Sequence, residues 1–102
     1  MSVSSTRGAS EDVVRALDPA VTGADLLRLA VHRSSAVRAA VASRTDCPAG
    51  ALISLGHDHS VDVLEALIGN PRTPSSVIRN LADHRTARVS EAAVQRLRNS
   101  FR

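Results

Sequence analysis

The sequence predicts an all-α fold, a solenoid built from three repeats, because similar residues recur every 26 positions. Each copy contains two short apolar segments, which indicates one pair of short helices per copy. Three copies in register are typical of a supersecondary unit that is stacked, and not of a domain with one closed core. The matching columns are Leu26, Leu52 and Ile78; Leu29, Leu55 and Leu81; Val37, Val63 and Val89; Ala40, Ala66 and Ala92; and Val41, Leu67 and Ala93.

The first residues of the chain differ from the rest, because residues 1–9 are polar, rich in Ser and without periodicity. We expect this segment to be a flexible tail. The remainder, residues 10–102, is predicted to form a single α-solenoid domain. It divides into a half-repeat over 10–19, repeats over 20–45, 46–71 and 72–97, and a C-terminal extension over 98–102.

The half-repeat is predicted to be one helix that begins after Ser10 and ends at Leu17. Ser10 is a suitable N-cap, and the two acids that follow it favour the positive end of the helix dipole. Asp18 and Pro19 then stop the helix. This helix matches the second helix of a repeat, so we expect it to cover the first copy.

The first helix of each copy has its own start signal. Thr22 and the acid three residues later resemble a capping box. Pro48 and Pro74 are predicted at the first helical position, so Cys47 and Thr73 become the N-caps. The predicted helices are Ala24–Val31, Gly50–Gly56 and Ser75–Ala82.

The second helices each follow a hydroxyl residue of one column, Ser34, Ser60 or Thr86, which suits an N-cap. The third of these helices continues towards Phe101 without a Pro or Gly. Leu97 and Phe101 are one turn apart, so we expect them to seal the last copy or to form a dimer contact. The predicted helices are Ser35–Ser43, Val61–Gly69 and Ala87–Leu97.

Several segments match a known repeat: VRAAVA at 37–42, a Cys-Pro…Leu…Leu-Gly-His-Asp run at 47–58, and a Thr-Pro…Ile…Leu-Ala run at 73–82. They resemble the leucine-rich repeat variant family of HEAT-like α-solenoids, with the pattern T-P-x-x-x-L-x-x-L-A-x-D, then V-R-x-x-V-A-x-N-P. The resemblance covers about residues 18–97 and implies a curved, right-handed stack of short α- and 3₁₀-helices. It implies no catalytic residues. The Cys-rich Fe–S segment of some members has no counterpart here.

Composition excludes several kinds of protein. Cys47 is the single cysteine, so neither an intrachain disulfide nor a four-cysteine metal site can form. No apolar run approaches the ~20 residues of a membrane span, and the N-terminus lacks an apolar signal core. No nucleophile–base pair or Gly-rich phosphate loop is present. We therefore expect a cytoplasmic protein that is not an enzyme and uses no cofactor, with no membrane partner.

A protein or peptide partner is predicted on the face of the second helices. Leu64 stands where the first copy has Arg38, and Ile68 follows one turn later. With Val94 they are predicted to form an exposed apolar patch, and Arg38 and Arg88 lie at its margins. The alternative is that this face packs against a neighbouring helix. The basic outer copies and the acidic middle copy suggest a partner that is acidic at its ends; a homodimer is a further alternative.

A nucleic acid or another polyanion is the alternative partner. Arg33, His59 and Arg85 form a column just before the helix N-termini, where free N–H groups favour anions. Asp58 and Asp62 interrupt this basic column. The absence of Trp and Tyr also removes base stacking.

The His residues are not predicted to bind a metal. His57, Asp58 and His59 are adjacent, and adjacent side chains on a turn rarely converge on one ion. His32, Asp58 and His84 share a column, so we expect them to hydrogen-bond the backbone of the loop between the two helices.

Overall fold

The computed structural model describes the backbone of residues 2–100 and the side chains of residues 9–100. Over that part of the chain it contains seven α-helices and no strand, so the predicted all-α class is confirmed. The helices are α1 (Ser2–Leu17), α2 (Gly23–Ala30), α3 (Ser35–Ala42), α4 (Ala49–Leu55), α5 (Val61–Gly69), α6 (Ser75–Leu81) and α7 (Ala87–Ser100).

The odd-numbered helices pack side by side in chain order, α1 on α3, α3 on α5 and α5 on α7. Each of α2, α4 and α6 lies against the odd-numbered helix that follows it, and α2 also contacts α4. The buried side chains form a single cluster that runs between the two sets of helices. The copies defined by the sequence are therefore neighbours in space.

The core is made by the columns of the repeat. All members of the Leu26, Leu29, Val37 and Val41 columns are buried, in all three copies. The Ala40 column is buried in the first copy and half-buried in the other two. Since burying one such aliphatic side chain stabilises a fold by about 1.5–3 kcal/mol, these columns supply most of the driving force.

Helix α4 begins at Ala49, one residue before the predicted Gly50, and α6 begins at Ser75 as predicted, but neither proline is the first helical residue. Pro48 and Pro74 are the N-caps, with ψ 142° in both cases, and their extended backbone places them outside the helix. The prediction of Cys47 and Thr73 as N-caps is therefore wrong. Both precede the cap and are buried, and the Thr73 hydroxyl donates to the Leu67 carbonyl at 2.7 Å.

The second helices begin where the sequence predicts, with Ser34 and Ser60 as N-caps of α3 and α5. Their hydroxyls, however, make no capping hydrogen bond, and neither does that of Thr22 before α2. The capping role predicted for these hydroxyls is wrong. The turn before each second helix is held by a side chain two residues before the cap, described below.

The terminal helices differ from prediction in length. α1 begins at Ser2, so the predicted start at Ser10 is wrong, although its end at Leu17 is confirmed. Ser and Thr are weak helix formers but permitted ones, and no proline precedes Pro19 to prevent an earlier start. α7 continues past Leu97 to Ser100, as expected. Phe101 lies outside the described residues.

Leu64 and Ile68 are buried, at 0% and 7% exposure, so the prediction that they form an exposed patch is wrong. The alternative, that this face packs against neighbouring helices, is what the structure shows. α5 has α3 on one side, α7 on the other and α4 against it. In the first copy Arg38 shares the Leu64 column, and its long side chain binds the carboxylate of Asp58.

One polar side chain in each copy ties that copy to the preceding one. Arg44 donates to the carbonyls of Ala16 and Asp18 at 3.1 and 2.9 Å, which are 28 and 26 residues earlier. The amide of Asn70 donates to the carbonyls of Ala42 and Arg44, both at 2.8 Å. We call Arg44, Asn70 and Arg96 the carbonyl-binding column.

Arg96 repeats the pattern in the third copy. Its guanidinium donates to the Ile68 carbonyl and, at 3.0 Å, to the Asn70 carbonyl, with the same separations of 28 and 26 residues. Carbonyls at the end of a helix have no partner within the helix and need one from elsewhere. The carbonyl-binding column supplies it from the next copy.

Leu64→Ala should lower the free energy of unfolding by about 2–5 kcal/mol, the range for large truncations in a core. Leu55→Ala, in the core column of the same copy, should cost a similar amount. Urea unfolding followed by circular dichroism measures both. Val31→Ala, at an 82% exposed position, is the matched control and should change stability by less than about 0.5 kcal/mol. A Leu64→Ala protein as stable as this control would contradict the buried position.

Asn70→Ala should lower the free energy of unfolding by about 1–3 kcal/mol, because two buried carbonyls lose their donor. The exposed Asn80→Ala is the control and should have little effect. Hydrogen exchange of the amides at the end of α3 should also quicken in the Asn70 variant. Unchanged stability and unchanged exchange would show that the carbonyl-binding column does not hold the copies together.

Candidate protein-binding surface

Two equivalent grooves lie on the side of the molecule formed by α2, α4 and α6. The first groove, between α2 and α4, has a volume of about 690 Å³, and the second, between α4 and α6, about 250 Å³. Every residue that lines the second groove lies 26 positions after one that lines the first. The second is lined by Ile53, Gly56, His57, Ser76, Val77, Asn80, Leu81 and His84.

The first groove is apolar at both its rim and its floor. Leu27 and Val31 of the α2 segment form one rim and are 44% and 82% exposed. Ala30, Ala51 and Leu55 are buried and form the floor. Ser54, His57 and the Arg38–Asp58 pair provide the polar groups. Few polar groups around an apolar cavity, with a volume within about 300–1,000 Å³, are typical of a binding site.

The repeat itself shows that this apolar rim is not needed for folding. In the column of Leu27, the second copy has Ile53, which is 46% exposed, and the third has Arg79. In the column of Val31, the other copies have His57 and Asp83. Because charged residues occupy the same positions of the same fold, the exposed Leu27, Val31 and Ile53 need an explanation other than stability.

The second groove is smaller because it has a glycine and a valine where the first groove has two alanines. The first groove has Ala30 facing it from α2 and Ala51 from α4. The equivalent positions in the second are Gly56 and Val77. A Cβ atom at Gly56 would lie 2.9 Å from Val77 Cγ1, so α6 approaches α4 closely there and narrows the second groove.

Each copy has one side chain that accepts a hydrogen bond from the backbone of the loop, as predicted. These side chains are His32, Asp58 and His84. The donors are the N–H groups two residues later, at 3.0 Å to His32 Nδ1, 2.9 Å to Asp58 Oδ1 and 3.0 Å to His84 Nδ1. This bond holds the turn before each second helix, in place of a hydroxyl cap. Among the described side chains, no three His, Cys, Asp or Glu residues converge as metal ligands would.

In two of the three copies, the member of this loop-acceptor column (His32, Asp58 and His84) binds the side chain 20 positions earlier, and the pair differs between them. Asp12 Oδ2 lies 2.8 Å from His32 Nε2. Arg38 donates to both carboxylate oxygens of Asp58, at 2.7 and 3.2 Å. The position 20 residues before His84 is the apolar Leu64.

The side chain of Arg38 donates four hydrogen bonds within the chain. Besides Asp58, its guanidinium donates to the carbonyls of His32 and Arg33 at 2.7 and 3.0 Å. The hydrogen bond to Asp58 raises the pKa of Arg38. Burial opposes the ionisation of Asp58, but the hydrogen bonds from Arg38 and the Ser60 N–H outweigh it and lower the Asp58 pKa. The pair is thus a fixed part of the first groove.

The five residues predicted to bind a partner do not lie together on one surface. Leu64 and Ile68 are in the core, and Arg38 belongs to the floor of the first groove on the other side. Val94 is partly exposed on α7, and Arg88 pairs with Glu65 at 2.6 Å across α5 and α7.

The residues of the alternative anion site, Arg33, His59 and Arg85, are exposed. Among the described residues, their side chains have no ion-pair or hydrogen-bond partner within the chain. Their binding of an anion stays a prediction. Asp58 lies next to His59 and carries a carboxylate, which works against such a site.

The surroundings of Cys47 do not favour a reactive thiol. Burial, with Asp46 nearby, raises the pKa of its thiol, so the reactive thiolate is disfavoured. Within the described part of the chain, no helix has both the length and the apolar character needed to cross a bilayer.

Comparisons with models of known protein families, with curated proteins and with solved structures gave no match to this chain. The resemblance to the leucine-rich repeat variant family therefore stays a prediction.

The exposed apolar side chains of Leu27 and Val31 at the first groove, and of Ile53 at the second, were not predicted from the sequence. A signal for them was present, because these residues share columns with Arg79 and Asp83. This signal does not separate surface from core, because the column of Arg38 and Leu64 is also charged in one copy and apolar in another, and Leu64 is buried. The pattern also does not show that these residues line a groove.

Asp58→Asn should lower stability most at neutral pH, by about 1–3 kcal/mol, and progressively less as the pH falls. Because folding lowers the pKa of Asp58, its contribution is present above the unfolded value of about 3.9 and is lost as the pH falls through the folded value. The asparagine oxygen still accepts the Ser60 N–H, so the change isolates the Arg38 pair. Urea unfolding between neutral and acidic pH measures it, with the exposed Asp62→Asn as control. Parallel pH profiles for wild type and Asp58→Asn would contradict the pairing.

Proposed function

We propose that the chain is a short, right-handed α-solenoid of the leucine-rich repeat variant type. Three observations support this architecture. The contacts of the carbonyl-binding column recur at separations of 26 and 28 residues. The two grooves are equivalent under the same 26-residue shift. The Cα atoms extend over 48 × 26 × 18 Å, an elongated shape that suits a stack.

We propose that this solenoid is a non-enzymatic protein-interaction module that binds a peptide segment of a partner in the first groove. The exposed apolar rim supports this proposal above all. Val31 and Leu27 are open to solvent beside an apolar floor, while equivalent positions in the third copy are charged. Apolar side chains that are not required by the fold and line a groove are typical of a surface that is covered by a partner.

The dimensions of the first groove limit what it holds. α2 has 8 residues, which corresponds to about 12 Å of helix. That length matches two turns of a partner helix, or three to four residues of an extended segment at about 3.3 Å each. A peptide, and not a whole protein surface, is therefore the natural occupant.

Val31→Glu should abolish peptide binding and leave the fold intact, because it places a charge at the most exposed point of the apolar rim. The measurement is selection of a phage-displayed library of random peptides on the immobilised chain, followed by affinities of the enriched peptides. Val14→Glu on α1 is the matched control, since Val14 is 69% exposed and lies outside both grooves. Circular dichroism should show the same helical content in both variants.

Two results would contradict the proposed site. One is enrichment of the same peptides by wild type and Val31→Glu. The other is the absence of enriched peptides together with binding of a DNA oligonucleotide that weakens steeply with salt. If Arg33→Glu combined with Arg85→Glu then removed the oligonucleotide, the polyanion alternative would replace the peptide-binding proposal.

A further inference from the structure

The second groove differs from the first in the polar group that it offers. In the first, Asp58 lies at the floor and is bound by Arg38. In the second, the equivalent residue is His84, and the residue in the place of Arg38 is Leu64. Leu64 has no polar atom in its side chain, so His84 receives no partner from that position.

The free nitrogen of His84 is a hydrogen-bond donor. Its Nδ1 accepts the Thr86 N–H at 3.0 Å, so the hydrogen of the neutral ring is on Nε2. Among the described residues Nε2 has no hydrogen-bond partner. Since no described side-chain nitrogen or oxygen is both fully buried and without a partner, this Nε2 is not fully buried. His84 itself is half-buried and lines the groove.

The first copy shows what such a nitrogen binds. His32 occupies the same column, and its Nδ1 makes the same bond to the turn, at 3.0 Å to the Ser34 N–H. Its Nε2 lies 2.8 Å from a carboxylate oxygen of Asp12. In the first copy, therefore, an imidazole with the same backbone hydrogen bond is paired with a carboxylate. In the third copy no described residue supplies that carboxylate.

We propose that the partner peptide supplies an Asp or Glu carboxylate to His84 in the second groove while an apolar side chain of the same peptide fills the first groove. This inference rests on the proposed function, because it names the chemistry of the partner at that surface. Only α4 and the turn after it separate the two grooves; His57 lines both grooves and Ile53 lines the second. Neighbouring helices are about 8–10 Å apart, so the two anchors of the peptide are separated by about 10 Å.

The variant His84→Asp tests this proposal most directly. Asp58 shows that an aspartate in this column accepts the N–H of the turn, at 2.9 Å, so the variant keeps that bond. It replaces the donor at Nε2 with a negative charge, which repels a carboxylate. His59→Asp is the matched control, because it makes the same substitution at an exposed residue that lines neither groove.

The test uses the peptides enriched from the random library on the wild-type chain. We expect an Asp or Glu at a constant spacing from an apolar residue. Their affinity should fall about tenfold to hundredfold for His84→Asp and less than about twofold for His59→Asp. Replacing the acid of the peptide with its amide should weaken binding to wild type by a similar factor and have little further effect on His84→Asp, as a double-mutant cycle requires.

The possible failures are distinguishable. Enriched peptides that lack an acid, or that bind His84→Asp as tightly as wild type, would overturn the carboxylate proposal and leave the peptide-binding function standing. Enrichment that does not depend on Val31 would overturn the proposed function, and the carboxylate proposal with it.

Discussion

The hydrogen bonds of the carbonyl-binding column are the constraint on which the rest of the molecule depends. The ends of α1, α3 and α5 leave carbonyls that have no partner within the helix and need donors from elsewhere. Arg44, Asn70 and Arg96 supply two bonds apiece to the preceding copy, always at the same two separations along the chain. These bonds set how far each copy is displaced from the last. They recur in every copy, so the difference in volume between the two grooves comes from the side chains that line them.

The third copy differs from the other two at these carbonyls. α3 and α5 stop at Ala42 and Gly69, which leaves their last carbonyls free for the next copy. α7 continues to Ser100, so the carbonyls of Val94 and Arg96, the equivalents in the third copy, accept hydrogen bonds within the helix. The Ser100 hydroxyl also donates to the Arg96 carbonyl at 2.9 Å.

The features that depend on the periodicity of side chains could be predicted from the sequence. The contacts that each copy makes with the backbone of another copy could not. The helices and four fully buried columns follow from the 26-residue pattern, although Pro48 and Pro74 are N-caps and not the first helical residues. The carbonyl-binding column was not predicted, because its acceptors are carbonyls and carry no sequence signal. Leu64 was misassigned to the surface because a departure from the repeat was equated with exposure. At a position covered by neighbouring helices, an apolar substitution instead extends the core.

The residue 20 positions before the loop-acceptor column varies between copies, while the column itself keeps one structural role. Asp12 lies against His32 and Arg38 pairs with Asp58, whereas Leu64 stands at the equivalent position before His84. All three members of the column still accept the hydrogen bond that holds their turn. The backbone therefore needs only an acceptor in that column, and the residue 20 positions earlier is free to vary. In the proposed function, recognition depends on such differences between copies, and at His84 the difference leaves a donor without a partner among the described residues.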